Sequence, residues 1–252
     1  MKLDLSGKRA IVTGGGRGLC RCIAEALHDS GAEVVLVGSS EATKKSAEEM
    51  QAAGPAVYAV TGNLGEKDEI AGIFTQCMKL LGGRVDILVN GAGTQFRCDA
   101  VDFPADEWER ILALNLGAVF YLSQMAGKEM IRNGYGKIIN IASMTSFFGS
   151  SRIPAYVASK AGVAQLTKAL SNEWAAYGVN VNAIAPGYME TRLTGDIKEK
   201  NPEQYKEITS RIPMGRWGTG DDLKGLAVFL ASDASAYISG AVIPVDGGYL
   251  GK

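Results

Sequence analysis

The sequence predicts an α/β fold, a doubly wound sheet of about seven parallel strands with helices on both faces. Three observations carry that reading. Short β-branched runs alternate with longer stretches rich in Ala, Glu, Lys and Leu. Apolar residues within the short runs are continuous rather than alternating, as in parallel strands covered on both sides. The 252 residues, 46% apolar and 21% charged, suffice for one large core. With no linker, low-complexity segment or repeat, residues 1–252 are expected to form a single domain.

The elements follow in order. "KRAIVT" reads as the first strand and residues 17–30 as a helix. "AEVVLVG" is the second strand, followed by a helix over 41–53. "AVYAVT" and "VDILVN" are further strands, separated by a helix over 67–81. One helix is expected over 108–130, then the strand "GKIINIAS", then a helix over 154–177. "VNVNAIAP" and "AVIPVDG" complete the sheet. The polar, punctuated stretch 187–220 follows a strand end, where ligands sit in such folds, and is read as a substrate loop or lid.

The bulk numbers exclude several classes. The net charge is −1 with no basic block, so there is no electrostatic footprint for nucleic acid or an anionic membrane. No apolar run is long enough to span a bilayer, and "MKLDLSGKRA" lacks a signal peptide's apolar stretch. Cys20, Cys22, Cys77 and Cys98 show no CxxC or framework spacing, which reads as reduced thiols and a cytoplasmic address. One histidine (His28) and no clustered carboxylates give no catalytic metal site.

Two local patterns carry chemistry. "TGGGRGLC" (Thr13 to Cys20) joins the first strand to the first helix. The turn exposes unpaired N–H groups at the positive end of the helix dipole, where phosphates bind. Gly14 and Gly18 let the backbone turn sharply and approach a pyrophosphate. Cys20 stands where a third glycine normally serves helix-to-strand packing. In "PAYVASKAG", Tyr156 and Lys160 are four apart, one turn apart on one helix face. A phenol titrates near ~10, too high for a base at neutral pH, and a neighbouring ammonium lowers that value. Ser143 ends the strand "KIINIAS", at the edge where ligands sit, and Asn115 lies inside a helical stretch.

Together these residues resemble the short-chain dehydrogenase/reductase family, nearly end to end. "TGGGRGLC" is similar to its TGxxxGxG, "YVASK" to its YxxxK, "NGAG" (Asn90 to Gly93) to its NNAG and "APG" (Ala185 to Gly187) to its PG turn. The resemblance implies a Rossmann-type domain that moves hydride between a nicotinamide and a substrate carbon. It makes Tyr156 the acid/base, with Lys160 lowering its pKa and binding the nicotinamide ribose. Ser143 polarises the substrate oxygen, and Asn115 holds a water in the proton path. It assigns Gly14, Gly16, Arg17, Gly18 and Leu19 to the cofactor. To the same cofactor it assigns Asn63 and Leu64, Asn90, Gly91 and Ala92, and Pro186, Gly187, Met189 and Thr191. Three departures lie on the cofactor side: Cys20, Gly91 for the second Asn of NNAG, and Asn63 for an Asp.

The second strand ends without a carboxylate, which leaves Ser39 and Ser40 free to donate to a 2′-phosphate, with Arg17 to pair with it. The reading leans to NADP and keeps NAD open. "IASMTSFFGSSRIPAYVASKAGV" and "RIPMGRWG" resemble the family's sugar-acid dehydrogenases of the gluconate 5-dehydrogenase kind. That implies a small-molecule sugar acid or polyol as substrate. A 3-oxoacyl or general carbonyl reductase, and a nucleotide-binding protein without catalysis, stand as alternatives. Arg97 and Arg152 are expected to contact the carboxylate or a hydroxyl, with Gln95 and Met144 lining the pocket. The resemblance also implies a homotetramer.

Overall fold

The structure, a computed structural model, describes residues 3–51, 54–191 and 200–252. The first half runs β1 (Arg9–Thr13), α1 (Gly18–Asp29), β2 (Glu33–Gly38), α2 (Ala42–Met50), β3 (Val57–Thr61), α3 (Lys67–Leu80) and β4 (Ile87–Asn90). The second runs α4 (Ala105–Leu112), α5 (Ala118–Asn133), β5 (Gly136–Ile141), α6 (Pro154–Trp174) and β6 (Val179–Pro186). After it come α7 (Pro202–Ser210), α8 (Asp221–Ala231) and β7 (Val242–Val245). The strands form one parallel sheet in the order β3-β2-β1-β4-β5-β6-β7. This is the Rossmann-like sheet that the alternating pattern predicts.

The continuous apolar runs are explained by two-sided burial. In β1, Ala10 and Val12 face one core with Ile23 and Leu27 of α1 and Leu223 and Ala227 of α8. Ile11 faces the other, with Ile70 and Phe74 of α3 and Leu122 of α5. In β2, Val34 and Leu36 join the first core and Val35 and Val37 the second. Each such side chain contributes about 1.5–3 kcal/mol on burial, so no strand register leaves one face wet without a large cost.

The sheet order reverses between β1 and β4, which opens a crevice at the strand C-termini. Thr13 staples that point. Its hydroxyl accepts the N–H groups of Gly91 (2.9 Å) and Ala92 (3.1 Å) and donates to the Val89 carbonyl (3.2 Å).

The single helix expected over 108–130 is two helices joined by a π turn, Ala113–Gly117. A wider turn of this kind inserts a residue into a helix and is common at functional sites. The amide of Asn115, buried in the turn, reaches out of the helix to Thr94. In the stretch 187–220, α7 begins behind an Asn201 cap whose side chain accepts from the Gln204 N–H. Residues 192–199 of the expected lid, and the last two residues of the expected helix over 41–53, lie outside the described residues.

Candidate active site

Ser143 stands two residues past β5, with extended backbone, at the start of one 3-10 turn, Met144–Ser146. Its hydroxyl accepts the Thr145 N–H at 3.1 Å and stands near enough to the Tyr156 phenol to lower its pKa. Pro154 opens α6, since it needs no N–H there and its φ suits a first turn. Lys160 is buried, and its ammonium lies 5.7 Å from the Tyr156 ring centre. It donates to the Ile141 carbonyl at 2.7 Å. Asn115 exchanges two 2.9 Å hydrogen bonds with the main chain of Thr94 and donates to Ser159 at 3.1 Å. Ser159 in turn holds the Tyr156 carbonyl at 2.7 Å. The sequence thus brings Asn115, Ser143, Tyr156 and Lys160 together from three separate elements. It does not by itself reveal the links supplied by Thr94, Thr145 and Ser159.

The electrostatics differ from the sequence-based expectation in one respect. Burial pushes the Tyr156 phenol up, and the Ser143 hydrogen bond opposes it. The group that lowers it is Ser143 rather than Lys160. Burial pushes Lys160 itself down to about 8. The folded value lies below the unfolded lysine value of ~10.4, so the unfolded chain binds more protons between the two. This group therefore opposes folding fully below pH 8, and the opposition fades as pH rises toward the unfolded value. Urea titrations are expected to show wild-type stability gaining on Lys160→Met between pH 8 and 10. A constant gap would refute the assignment.

The glycine loop fits a dinucleotide phosphate. Its floor is closed: a Cβ on Gly14 would sit 3.0 Å from the Ala92 N and the Gly91 O, and one on Gly16 2.7 Å from the Thr43 hydroxyl. Its outer side is open: a Cβ on Gly18 (φ 61°) would meet nothing. No side chain caps α1, so its first N–H groups face that opening. Thr43 and Ser46 of α2 brace the loop from below, the latter by a 2.8 Å bond to the Gly16 carbonyl. Neither carries a sequence signal. Arg17, Ser39 and Ser40 are exposed at this mouth.

A family model described as enoyl-(acyl carrier protein) reductase matches residues 14–250. The chain is 43% identical over 253 residues to 2-dehydro-3-deoxy-D-gluconate 5-dehydrogenase of Bacillus subtilis, covering 99% of this chain and 97% of that protein. It is 38% identical to gluconate 5-dehydrogenase of Gluconobacter oxydans, covering 97% and 95%. The fold superposes with a TM-score of 0.94 on a gluconate 5-dehydrogenase from Burkholderia cenocepacia solved with NADP and tartrate, at 36% identity and covering 100% and 98%. The chain belongs to the short-chain dehydrogenase/reductase family.

Two of the departures from the family pattern are one feature. The Cys20 side chain, on the first turn of α1, fills the volume that a side chain on residue 91 would need. A Cβ built on Gly91 collides with the Cys20 Sγ and lies 3.3 Å from its Cβ. The cysteine that replaces a packing glycine and the glycine that replaces an asparagine therefore complement each other. Burial pushes the Cys20 thiol up to about 12, against the pull of the Lys160 charge. Asn63, the third departure, uses its carbonyl oxygen to accept the Gly65 N–H at 3.0 Å.

The remaining sequence-predicted residues divide. Asn90 turns its amide inward to Ser123 and Asn140, both at 2.9 Å, so only its backbone faces the crevice. Leu64 packs in the core. Pro186 ends β6, and Gly187 follows with its N–H bonded to the Val245 carbonyl at 2.9 Å. Met189 is buried in a bridge with Gly218, and Thr191 closes the described segment. Leu19 and Ala92 pack against the two cores. Gln95 is half-buried and Met144 buried. Arg152 is not a free cation. It has a left-handed backbone (φ 65°), and its guanidinium pairs with Asp99 at 3.0 Å. Among the described residues Arg97 has no such partner, and its charge lowers the pKa of the Tyr188 phenol. Among the described residues no group of three or more His, Cys, Asp or Glu is placed to hold a metal, and no helix is long and apolar enough to cross a membrane.

Proposed function

We propose that this chain oxidises a hydroxyl of a sugar acid, or reduces the matching carbonyl, with NADP as the favoured nicotinamide cofactor and NAD as a poorer one. The observation that carries this reading is the grouping of Ser143, Tyr156 and buried Lys160, with the Lys160 ammonium 5.7 Å from the Tyr156 ring centre and Ser143 lowering the phenol's pKa. The full-length sugar-acid relatives support the substrate class. When bound, the cofactor supplies the hydride chemistry. The other tasks fall to the chain. Ser143 holds the substrate oxygen by its hydroxyl. Tyr156 takes the proton from that oxygen in oxidation and returns it in reduction. Lys160 holds the ribose and a positive charge below the phenol, and Asn115 holds a water at the end of the proton path.

Arg17 and the Ser39–Ser40 pair carry the NADP preference: no carboxylate at the end of β2 repels a 2′-phosphate, and one exposed guanidinium meets it. Arg17→Ala is expected to raise the KM for NADP about 10- to 100-fold, the loss of one charge-assisted contact, and to leave that for NAD within about twofold, since NAD offers Arg17 no phosphate partner. Reduced-nicotinamide absorbance with both cofactors, against gluconate, 2-deoxygluconate and related keto acids, tests the whole reading. Wild-type turnover only of non-acidic substrates would overturn the sugar-acid assignment.

In this reading residues 1–252 act as one catalytic domain, with 187–220 as its substrate loop. The same proposal takes the chain to be a cytoplasmic homotetramer. Half-exposed Trp108 and Phe120 on α4 and α5 support an apolar contact face, and sedimentation of the purified chain measures the assembly.

A further inference from the structure

The arginines of the described chain divide sharply. Arg9, Arg21, Arg84, Arg110, Arg132, Arg152 and Arg216 each pair with a carboxylate. Among the described residues only Arg17, Arg97 and Arg211 have no acidic partner. Arg17 stands at the phosphate loop. Arg97 and Arg211 stand at a different place, and they share it.

That place is an aromatic cluster at the C-terminal edge of the sheet. Tyr188 follows the Pro186-Gly187 turn of β6, and its ring lies 5.5 Å from that of Tyr249. Tyr249 also helps to keep the Tyr188 phenol protonated. The Arg211 guanidinium, one residue past α7, lies 5.2 Å over the Tyr249 ring. The charges of Arg211 and Arg97 both act on the Tyr188 hydroxyl. Phe148, which follows the Ser143 turn, packs 6.0 Å from Tyr249 and so joins the cluster to the reacting end of the crevice. Arg97 is joined to the same end through Thr94, which Asn115 grips.

We propose that Arg211 and the Tyr188 hydroxyl, together with Arg97, form the anchor for the substrate's carboxylate, a residue set that determines specificity for acids over neutral polyols. The inference rests on the sugar-acid reading above. A carboxylate accepts two parallel guanidinium N–H bonds and is the natural partner of an arginine without one. Burial pushes the Tyr188 phenol up, with both arginines opposing, so at neutral pH it is a neutral donor to an anion. Cation–π contact with Tyr249 holds the Arg211 head in place without neutralising it. The arrangement sets the substrate's register, with the anion at the Tyr188 end and the reacting hydroxyl at Ser143.

The test is calorimetric titration of the full chain with gluconate and with sorbitol, its neutral counterpart, beside steady-state kinetics with NADP. Arg211→Gln is expected to weaken gluconate binding at least 10-fold and raise its KM similarly, with kcat within about twofold and the KM for NADP unchanged. Arg211→Lys is expected to recover part of the affinity, and sorbitol binding should not move. Arg132→Gln, which removes an exposed paired arginine on α5, serves as the unaffected control. Gluconate affinity unchanged in Arg211→Gln overturns the anchor while wild-type turnover of sugar acids leaves the functional reading standing. Equal losses on gluconate and sorbitol overturn it too, as a purely structural role would give. A wild-type chain that neither binds nor turns over any sugar acid overturns the functional reading, and the anchor with it.

Discussion

Tyr156→Phe is expected to lower kcat by about 10²–10⁴-fold, the range lost with a positioned general acid/base, while the chain stays folded and retains its affinity for NADP. The substitution removes one oxygen and leaves the ring. That oxygen is the one whose pKa Ser143 lowers, and the Lys160 ammonium lies 5.7 Å from its ring centre. No other described side chain in the cluster combines a dissociable proton with that position: Lys160 is tied to Ile141 and Asn115 to Thr94. Reduced-nicotinamide absorbance gives kcat, quenching of protein fluorescence gives NADP affinity, and circular dichroism reports the fold. Turnover that survived unaltered in a folded Tyr156→Phe chain would remove the phenol from the mechanism.

The second large effect is on stability and reverses with a second change. Gly91→Asn is expected to destabilise the chain by about 1–3 kcal/mol, the usual cost of overpacking a filled interior. The new side chain would enter the volume held by the Cys20 sulfur, with the Thr13 carbonyl 3.0 Å away on its other side. Cys20→Gly alone is expected to cost about 0.5–1 kcal/mol through helix entropy, together with the small void it opens. In the double variant the asparagine enters the space the sulfur left, which restores the family's own glycine–asparagine combination. The double variant is therefore expected to be more stable than Gly91→Asn alone, a coupling of the kind seen between residues in contact. Urea denaturation of the four chains measures it. Additive losses would mean that the two departures are independent.

The fold was readable from the sequence because parallel strands buried on both faces leave continuous apolar runs, and Val12, Leu36 and Val89 are neighbours in register as that pattern requires. The Tyr156–Lys160 pairing was readable because the two are close along one helix and their spacing survives any tertiary arrangement. Arg211 was not. It lies more than fifty residues from Tyr156 in an exposed polar stretch, and an arginine's charge becomes informative only once its acidic neighbours, or their absence, are known in space. Nor does anything in "SSRIPAY" show that Asp99 pairs with Arg152.

The sequence alone determined the periodicity of burial, the glycine turn at the end of β1 and the chemical types gathered by the family motifs, because each depends on spacing along one element. Only the tertiary structure decided which departures compensate and which charges are free. Cys20 and Gly91 looked like two separate losses at the cofactor site, seventy-one positions apart, and in space they are one packed contact. Packing and ion pairing depend on distances between elements, and the parallel pairing of β1 with β4 and the packing of α1 against both set those distances.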